Sequence, residues 1–226
     1  YSLTFTGNVS GGSDYVSTTF NPTEHGLQNG FTVSYWVRPA EFGNHMFALG
    51  RRHSSQVNQR FTFGLNTKTN AYIGVGNVKE HTFAHGMEGR DGVTTWSGNP
   101  DGIWYHWVIT FAGGSNGALN VYRDSALVHG PSTSHSWTVT TDDTPIYFGA
   151  RNLKGTGFNN GWATGLEEVA IFDEVKDSDW VTSTYNYGNP ADLQGQSGLV
   201  GYWKFNEGSG ITVKDYSGND NHGTLT

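Results

Sequence analysis

The stretch Phe31-Thr32-Val33-Ser34-Tyr35-Trp36-Val37-Arg38-Pro39 decides the fold class of this chain. Its side chains alternate with a period of two: Phe31, Val33, Tyr35 and Val37 fall on one face, and Thr32, Ser34, Trp36 and Arg38 on the other. That pattern predicts an extended strand with one face in a core and the other half wet. Pro39 has no N–H to give to a neighbouring strand, so it predicts the strand's end. Trp104 to Phe111 differs in carrying aromatic residues on both faces, with Tyr105, Trp107, Ile109 and Phe111 opposite Trp104, His106, Val108 and Thr110. It predicts a strand covered on both sides, with His106 a satisfied, half-buried residue.

Shorter strand-like runs lie to either side, at 2–5, 15–17, 45–49, 60–65, 71–75, 119–123, 146–148, 166–172 and 199–205, which makes about eleven in all. Clusters such as Gly7-Asn8-Val9-Ser10-Gly11-Gly12 and Gly113-Gly114-Ser115-Asn116-Gly117 separate them, and there positive φ costs little. Strand, turn, strand at short spacing predicts a sandwich or barrel. The helical candidate is 178–187, where Asp177 or Ser178 is placed to cap and Trp180, Val181, Thr184 and Tyr185 fall on one side. The stretch from Asn77 to Asp101 has no strand pattern and predicts an elaborated loop over one sheet.

The 226 residues include 8 Trp, 11 Tyr and 13 Phe, enough to bury a sizeable core, and no linker divides them, so one domain over 1–226 is expected. With no cysteine there is neither a disulfide framework nor a thiolate metal site. A net charge of −7 with 13 Lys and Arg argues against nucleic acid and against adhesion to anionic lipid. No apolar run reaches the ~18 residues of a membrane span, so no membrane insertion is expected, and the opening at Tyr1 reads as a soluble piece, excised or processed.

Six segments, in order, resemble the laminin G-like family of the concanavalin A-like lectin/glucanase superfamily: Ser2-Leu3-Thr4-Phe5 with Asp14-Tyr15-Val16, Phe31 to Pro39, Trp104 to Val108, Leu119 to Asp124, Ile146 to Arg151, and Gly165 to Phe172. The resemblance implies an all-β, two-sheet antiparallel jelly-roll sandwich with at most one short helix near 178–187. The segment Gly201 to Gly210, followed by Asp215 to Gly223, looks like the one with which family members normally begin. Either the usual first strand has moved to the C-terminus, or these residues start a further repeat; the first is favoured because sandwich termini commonly lie close together.

Glucanases of the superfamily carry Glu-x-Asp-x-x-Glu on one strand, setting two acids on one face as nucleophile and acid/base. The nearest run here, Glu168-Val169-Ala170-Ile171-Phe172-Asp173, lacks the middle acid, and its odd spacing turns the two end acids to opposite faces. There is no Gly-x-Ser-x-Gly elbow and no His-x-His or His-Glu-x-x-His run. Ca²⁺ needs six to eight hard oxygens, and Asp215, Asn219, Asp220 and Asn221 gather four oxygen-bearing side chains in seven residues. The same run is also a good turn. The resemblance adds Glu167 as a further calcium candidate.

Sugar binding asks for an exposed aromatic ring against the apolar sugar face and planar polar groups for the hydroxyls. Trp96 is the leading stacking candidate, with His81, His85 and Arg90 on the same loop and Arg52, beside Arg51 and His53, facing it; Asn159, Asn160 and Trp162 form the alternative group. The function expected is a non-catalytic, lectin-like module that binds a carbohydrate or glycosylated surface outside the cell, at a cell surface or on a virion. A structural or adhesive domain and a polysaccharide hydrolase or lyase of the same fold are the alternatives.

Overall fold

The computed structural model describes residues 2–6, 14–39, 46–53, 60–65, 70–77, 81–84, 103–138, 141–154, 157–159 and 163–226. The strands are β1 (Leu3–Thr6), β2 (Val16–Thr18), β3 (Phe31–Pro39), β4 (Met46–His53), β5 (Arg60–Leu65), β6 (Asn70–Gly76), β7 (His81–Ala84), β8 (Tyr105–Phe111), β9 (Gly114–Arg123), β10 (Ala126–Trp137), β11 (Tyr147–Phe148), β12 (Arg151–Lys154), β13 (Gly157–Asn159), β14 (Ala163–Phe172), β15 (Leu199–Trp203), β16 (Thr212–Val213) and β17 (Gly223–Leu225). One α-helix, α1 (Ser178–Tyr185), joins β14 to β15. It starts where expected, because the Asp177 carboxylate accepts the Trp180 N–H at 2.8 Å.

Two sheets form. The first runs β1-β14-β3-β8-β9-β10, with β15 also on β14; the second runs β16-β17-β2-β11-β4-β5-β6-β7, with β12 and β13 attached at β4. Pairing is antiparallel except between β12 and β4. The core between them takes Phe31, Val33, Tyr35 and Val37 from β3, as the alternation predicts, with Tyr105, Trp107, Ile109 and Phe111 from β8 and Phe61 and Phe63 from β5. Phe61 of β5 meets Phe31 edge-on at 5.2 Å and lies 5.8 Å from Trp137, so aromatic rings cross from sheet to sheet.

The opposite face of β3 departs from the half-wet expectation, since Thr32, Ser34 and Trp36 are buried too. The connection that carries α1 lies across this face. Thr32 Oγ1 donates to the Glu174 carbonyl at 2.8 Å, Ser34 Oγ shares a hydrogen with His106 Nε2 at 2.8 Å, and Trp36 stacks on His106 at 4.9 Å and on Tyr185 at 5.9 Å. A polar face can be covered when the covering segment supplies its hydrogen-bond partners. His106 is buried outright, not by half, and desolvation pushes its imidazole down to about 3.

The C-terminal stretch belongs to this sandwich. β1 pairs with β14 from Ala163 to Leu166 and β15 pairs with it from Val169 to Phe172, so the two ends of the chain share one edge. Between them β14 bulges: its register on β3 steps from Glu167 opposite Trp36 to Ala170 opposite Ser34, and Glu168 takes φ 51°. Glu167 and Glu168 therefore both leave the inner face, whereas Leu166, Val169 and Ile171 enter the core. β17 completes the second sheet against β2, and Thr226 N donates to Tyr15 O at 2.9 Å.

Six strands, β7, β10, β12, β13, β16 and β17, lie outside the runs expected from the sequence. β7 lies inside the stretch expected as loop, pairing Ile73 with His81. β10 has no apolar period because it is an edge strand, where Pro131, Thr133 and Ser134 meet solvent.

Arg51 is wholly buried, which removes it from the expected sugar-facing group. Its guanidinium donates to Asn21 Oδ1 at 3.0 Å, Thr144 O at 2.8 Å and Thr23 Oγ1 at 2.6 Å, and lies 3.4 Å from the Asp142 carboxylate. Removing one partner of a buried ion pair strands the other, so Asp142→Ala is expected to lower the unfolding free energy by about 3–5 kcal/mol in urea titrations. His106 sets a pH slope. Its folded pKa lies below the unfolded 6.5, so the native state binds fewer protons and stability falls as pH drops through 6.5 towards 3. Between pH 6 and 4, His106→Gln should lose stability less steeply than the wild type, by up to about 1.4 kcal/mol per pH unit.

Candidate functional site

Of the expected sugar-binding residues, Trp96, His85, Arg90, Asn160 and Trp162 lie outside the described residues. The backbone of the other three is placed in the second sheet. Arg52 pairs with Leu153, Asn159 pairs with Arg151, and His81 sits on β7, three strands beyond β4. The β4-β12-β13 ladder thus brings Arg52 and Asn159 into one corner of the sheet, with His81 apart.

A groove of about 430 Å³ opens where the end of α1 meets the β9–β10 turn. Tyr187 stands over it, 95% exposed. Asn186 and Tyr187 both adopt left-handed backbone, with φ 44° and 54°, which ends the helix and turns the Tyr187 ring outward. Consecutive non-glycine residues in this region carry strain that the surrounding structure must hold. It is held from below: Tyr185 stacks on Trp36 and His106 at 5.9 and 6.2 Å. The facing wall is Ser125, whose turn is fixed to β8 by the Asp124 N–H donating to His106 O at 2.8 Å and the His106 N–H donating to Asp124 Oδ1 at 3.0 Å. Asp179, Thr182 and Ser183 line the helix side. Thr182 Oγ1 donates to Ser178 O and Ser183 Oγ to Trp180 O, both within α1, so each hydroxyl presents lone pairs to the groove.

From residue types alone Tyr187 counts as the last helical residue, which hides this groove. The available signal was Asn186 before Tyr187-Gly188, since Asn and Gly are the residues that leave a helix through left-handed backbone.

The 215–221 loop is built around the Asp215 carboxylate. Its Oδ1 accepts the N–H groups of Tyr202 and Ser217, both at 2.9 Å, and its Oδ2 accepts Ser217 Oγ at 2.9 Å and Asn221 N at 3.0 Å. A carboxylate has about four acceptor positions, and all are taken. Asn219 Nδ2 donates to Val200 O at 3.1 Å, and Asn221 O accepts the buried Trp203 indole N–H at 2.9 Å. Asp220 is exposed, and among the described residues no hydrogen bond joins Glu167 to the loop. Nor do the described residues hold a cluster of three or more His, Asp or Glu fit for a metal. Asp215 with its neighbours does not fit Ca²⁺, because a cation there would displace four hydrogen bonds, three that close the loop on itself and one that ties it to β15. The loop has the geometry of the turn.

A family model for the concanavalin A-like lectin/glucanases superfamily, of laminin G type, matches residues 10–182. The chain belongs to this superfamily. The match stops before β15, consistent with a C-terminal segment outside the usual order. Solved structures share the fold at low identity. A protein from Bacteroides ovatus, described as a candidate carbohydrate-binding protein, is 15% identical with TM-score 0.64 over 100% of this chain, which spans 59% of that protein's length. The heptameric SAP-like pentraxin of Limulus polyphemus is 14% identical with TM-score 0.62, covering 98% of this chain and 92% of its own. The binding domain of botulinum neurotoxin DC, in complex with SialylT, is 12% identical with TM-score 0.54 over 82% of this chain and 42% of its own. No curated protein matches the sequence.

In this superfamily member the two adjacent acids at the bulge are half-buried. Burial pushes both carboxyls up, and Glu168 accepts the phenol proton of Tyr202, whose oxygen in turn accepts the Leu193 N–H at 3.2 Å. Asp173 follows the strand and donates its backbone N–H to Gly198 O. Glu168 thus anchors β15 to β14 and does not face Asp173 across a cleft.

Loss of the Asp215 carboxylate would leave two buried backbone donors, those of Tyr202 and Asn221, without acceptors. Asp215→Ala is expected to cost on the order of 3 kcal/mol in chemical denaturation. Thermal melts in EDTA and in excess Ca²⁺ should coincide, because a cation held at this loop in the native state would raise Tm.

Proposed function

We propose that this chain is a non-catalytic carbohydrate-binding module and that the groove beneath Tyr187 is its sugar site. One observation carries the reading: an aromatic ring 95% exposed, turned outward by strained backbone, above side chains rich in oxygen acceptors. Leaving a tyrosine ring in water has no folding benefit, whereas the apolar face of a pyranose covers such a ring and directs its hydroxyls to the acceptors around it. The fold shared with the Bacteroides ovatus protein and with the sialyl-ligand complex of the neurotoxin domain supports the same reading. So does the bonding of Glu168 to Tyr202, which commits a half-buried acid to joining two strands and leaves binding, not turnover, as the chemistry of this face. A module of this kind works on the outside of a cell, against glycans of a surface or matrix.

Calorimetric titration with neutral mono- and disaccharides should show binding in the micromolar to millimolar range, about 4–8 kcal/mol. Tyr187→Ala should abolish it with no loss of Tm, because the ring packs on nothing that holds the fold. Undiminished binding by Tyr187→Ala would exclude the groove. Release of sugar from a polysaccharide, lost in Glu168→Gln, would replace the reading with a hydrolase.

A further inference from the structure

We infer, resting on that reading, that the groove selects uncharged sugars and excludes anionic ones such as uronic, sialic and sulfated residues, with Asp179 as the specificity-determining residue. The lining carries one charge, the Asp179 carboxylate, and none of its residues is Lys or Arg. An anion entering it would shed water without meeting a cation, and burial of a charge is unfavourable unless a charged or strong hydrogen-bond partner compensates.

The hydrogen-bonding sense of the lining acts in the same direction. Thr182 and Ser183 each have one hydroxyl proton, and each gives it to a helix carbonyl at 2.9 or 2.8 Å. What faces the groove from these two residues is acceptor, and Asp179 adds two further acceptor oxygens. The remaining side-chain donors, the two phenols, the Ser125 hydroxyl and the Asn186 amide, are uncharged. Sugar hydroxyls can donate to such a lining; a carboxylate or sulfate, which only accepts, cannot. Asp179 lies in the first turn of α1, where the positive end of the helix accommodates a negative side chain, so its charge is compatible with the fold as well as with the site.

The test compares sugars that differ at one group, methyl glucoside with the methyl glycoside of glucuronic acid, and galactose with galactose 6-sulfate. Each is titrated at low ionic strength into the wild type, Asp179→Asn and Tyr187→Ala. The wild type is expected to bind the neutral member of each pair at least about ten-fold more tightly, a modest share of the repulsion between two charges a few ångströms apart near a protein surface. Asp179→Asn, which keeps an acceptor and removes the charge, should bring the ratio to within about two- to three-fold while still binding the neutral sugar. Equal or tighter binding of the anionic member by the wild type overturns the inference and leaves the carbohydrate reading intact. Full discrimination retained in Asp179→Asn removes Asp179 from the role assigned to it. Binding of neither member of a pair, or binding indifferent to Tyr187→Ala, overturns the carbohydrate reading of the groove itself.

Discussion

The strand β14 has one edge left open by β3, and two strands from opposite ends of the chain fill it. β1 takes Ala163 to Leu166, β15 takes Val169 to Phe172, and the bulge at Glu167 and Glu168 divides the two stretches. The chain leaves β14 at Phe172 and must come back antiparallel to that same strand at Leu199. The connection over 173–198 crosses the outer face of the first sheet to do so, and there it lays Trp180 on Phe172 and Tyr185 on Trp36. Burial of Thr32, Ser34 and Trp36 on the outer face of β3, neutrality of His106 and display of Tyr187 all follow from that one return path.

The same path explains which parts of the molecule were legible in the sequence. Inner positions of β3 and β8 could be read because a period of two is a local property, and Phe31, Val33, Tyr35 and Val37 all enter the core. The outer face could not be read that way, since Thr32, Ser34 and Trp36 look solvated until the helix and the Glu174 carbonyl are set against them. Strict alternation also fails at Glu167 and Glu168, where one residue in left-handed backbone turns both acids outward. β10 escaped notice because an edge strand needs no apolar stripe.

The site was less legible than the fold. Composition alone puts the weight on Trp96, His85 and Arg90 in a long loop, residues outside those described. The groove proposed as the sugar site lies at the end of a helix in the connection between two strands, and it depends on the left-handed turn at Asn186 and Tyr187, which composition does not reveal. The 215–221 run shows the converse. Its density of oxygen-bearing side chains suggested a cation, yet the Asp215 carboxylate is filled by donors from its own loop and from β15. Residue type alone does not separate a ligand shell from a turn, because both need oxygens; the positions of the surrounding N–H groups do.

The central claim is that the returning connection builds a sugar site. Backbone amide shifts of the isotopically labelled protein, followed by NMR during titration with methyl galactoside or methyl glucoside, test it most directly. The account predicts shifts concentrated at Asp179 to Gly188 and at Ser125, with the 215–221 loop unmoved. Shifts gathered in that loop, or between 85 and 102 with none at Tyr187, would contradict it.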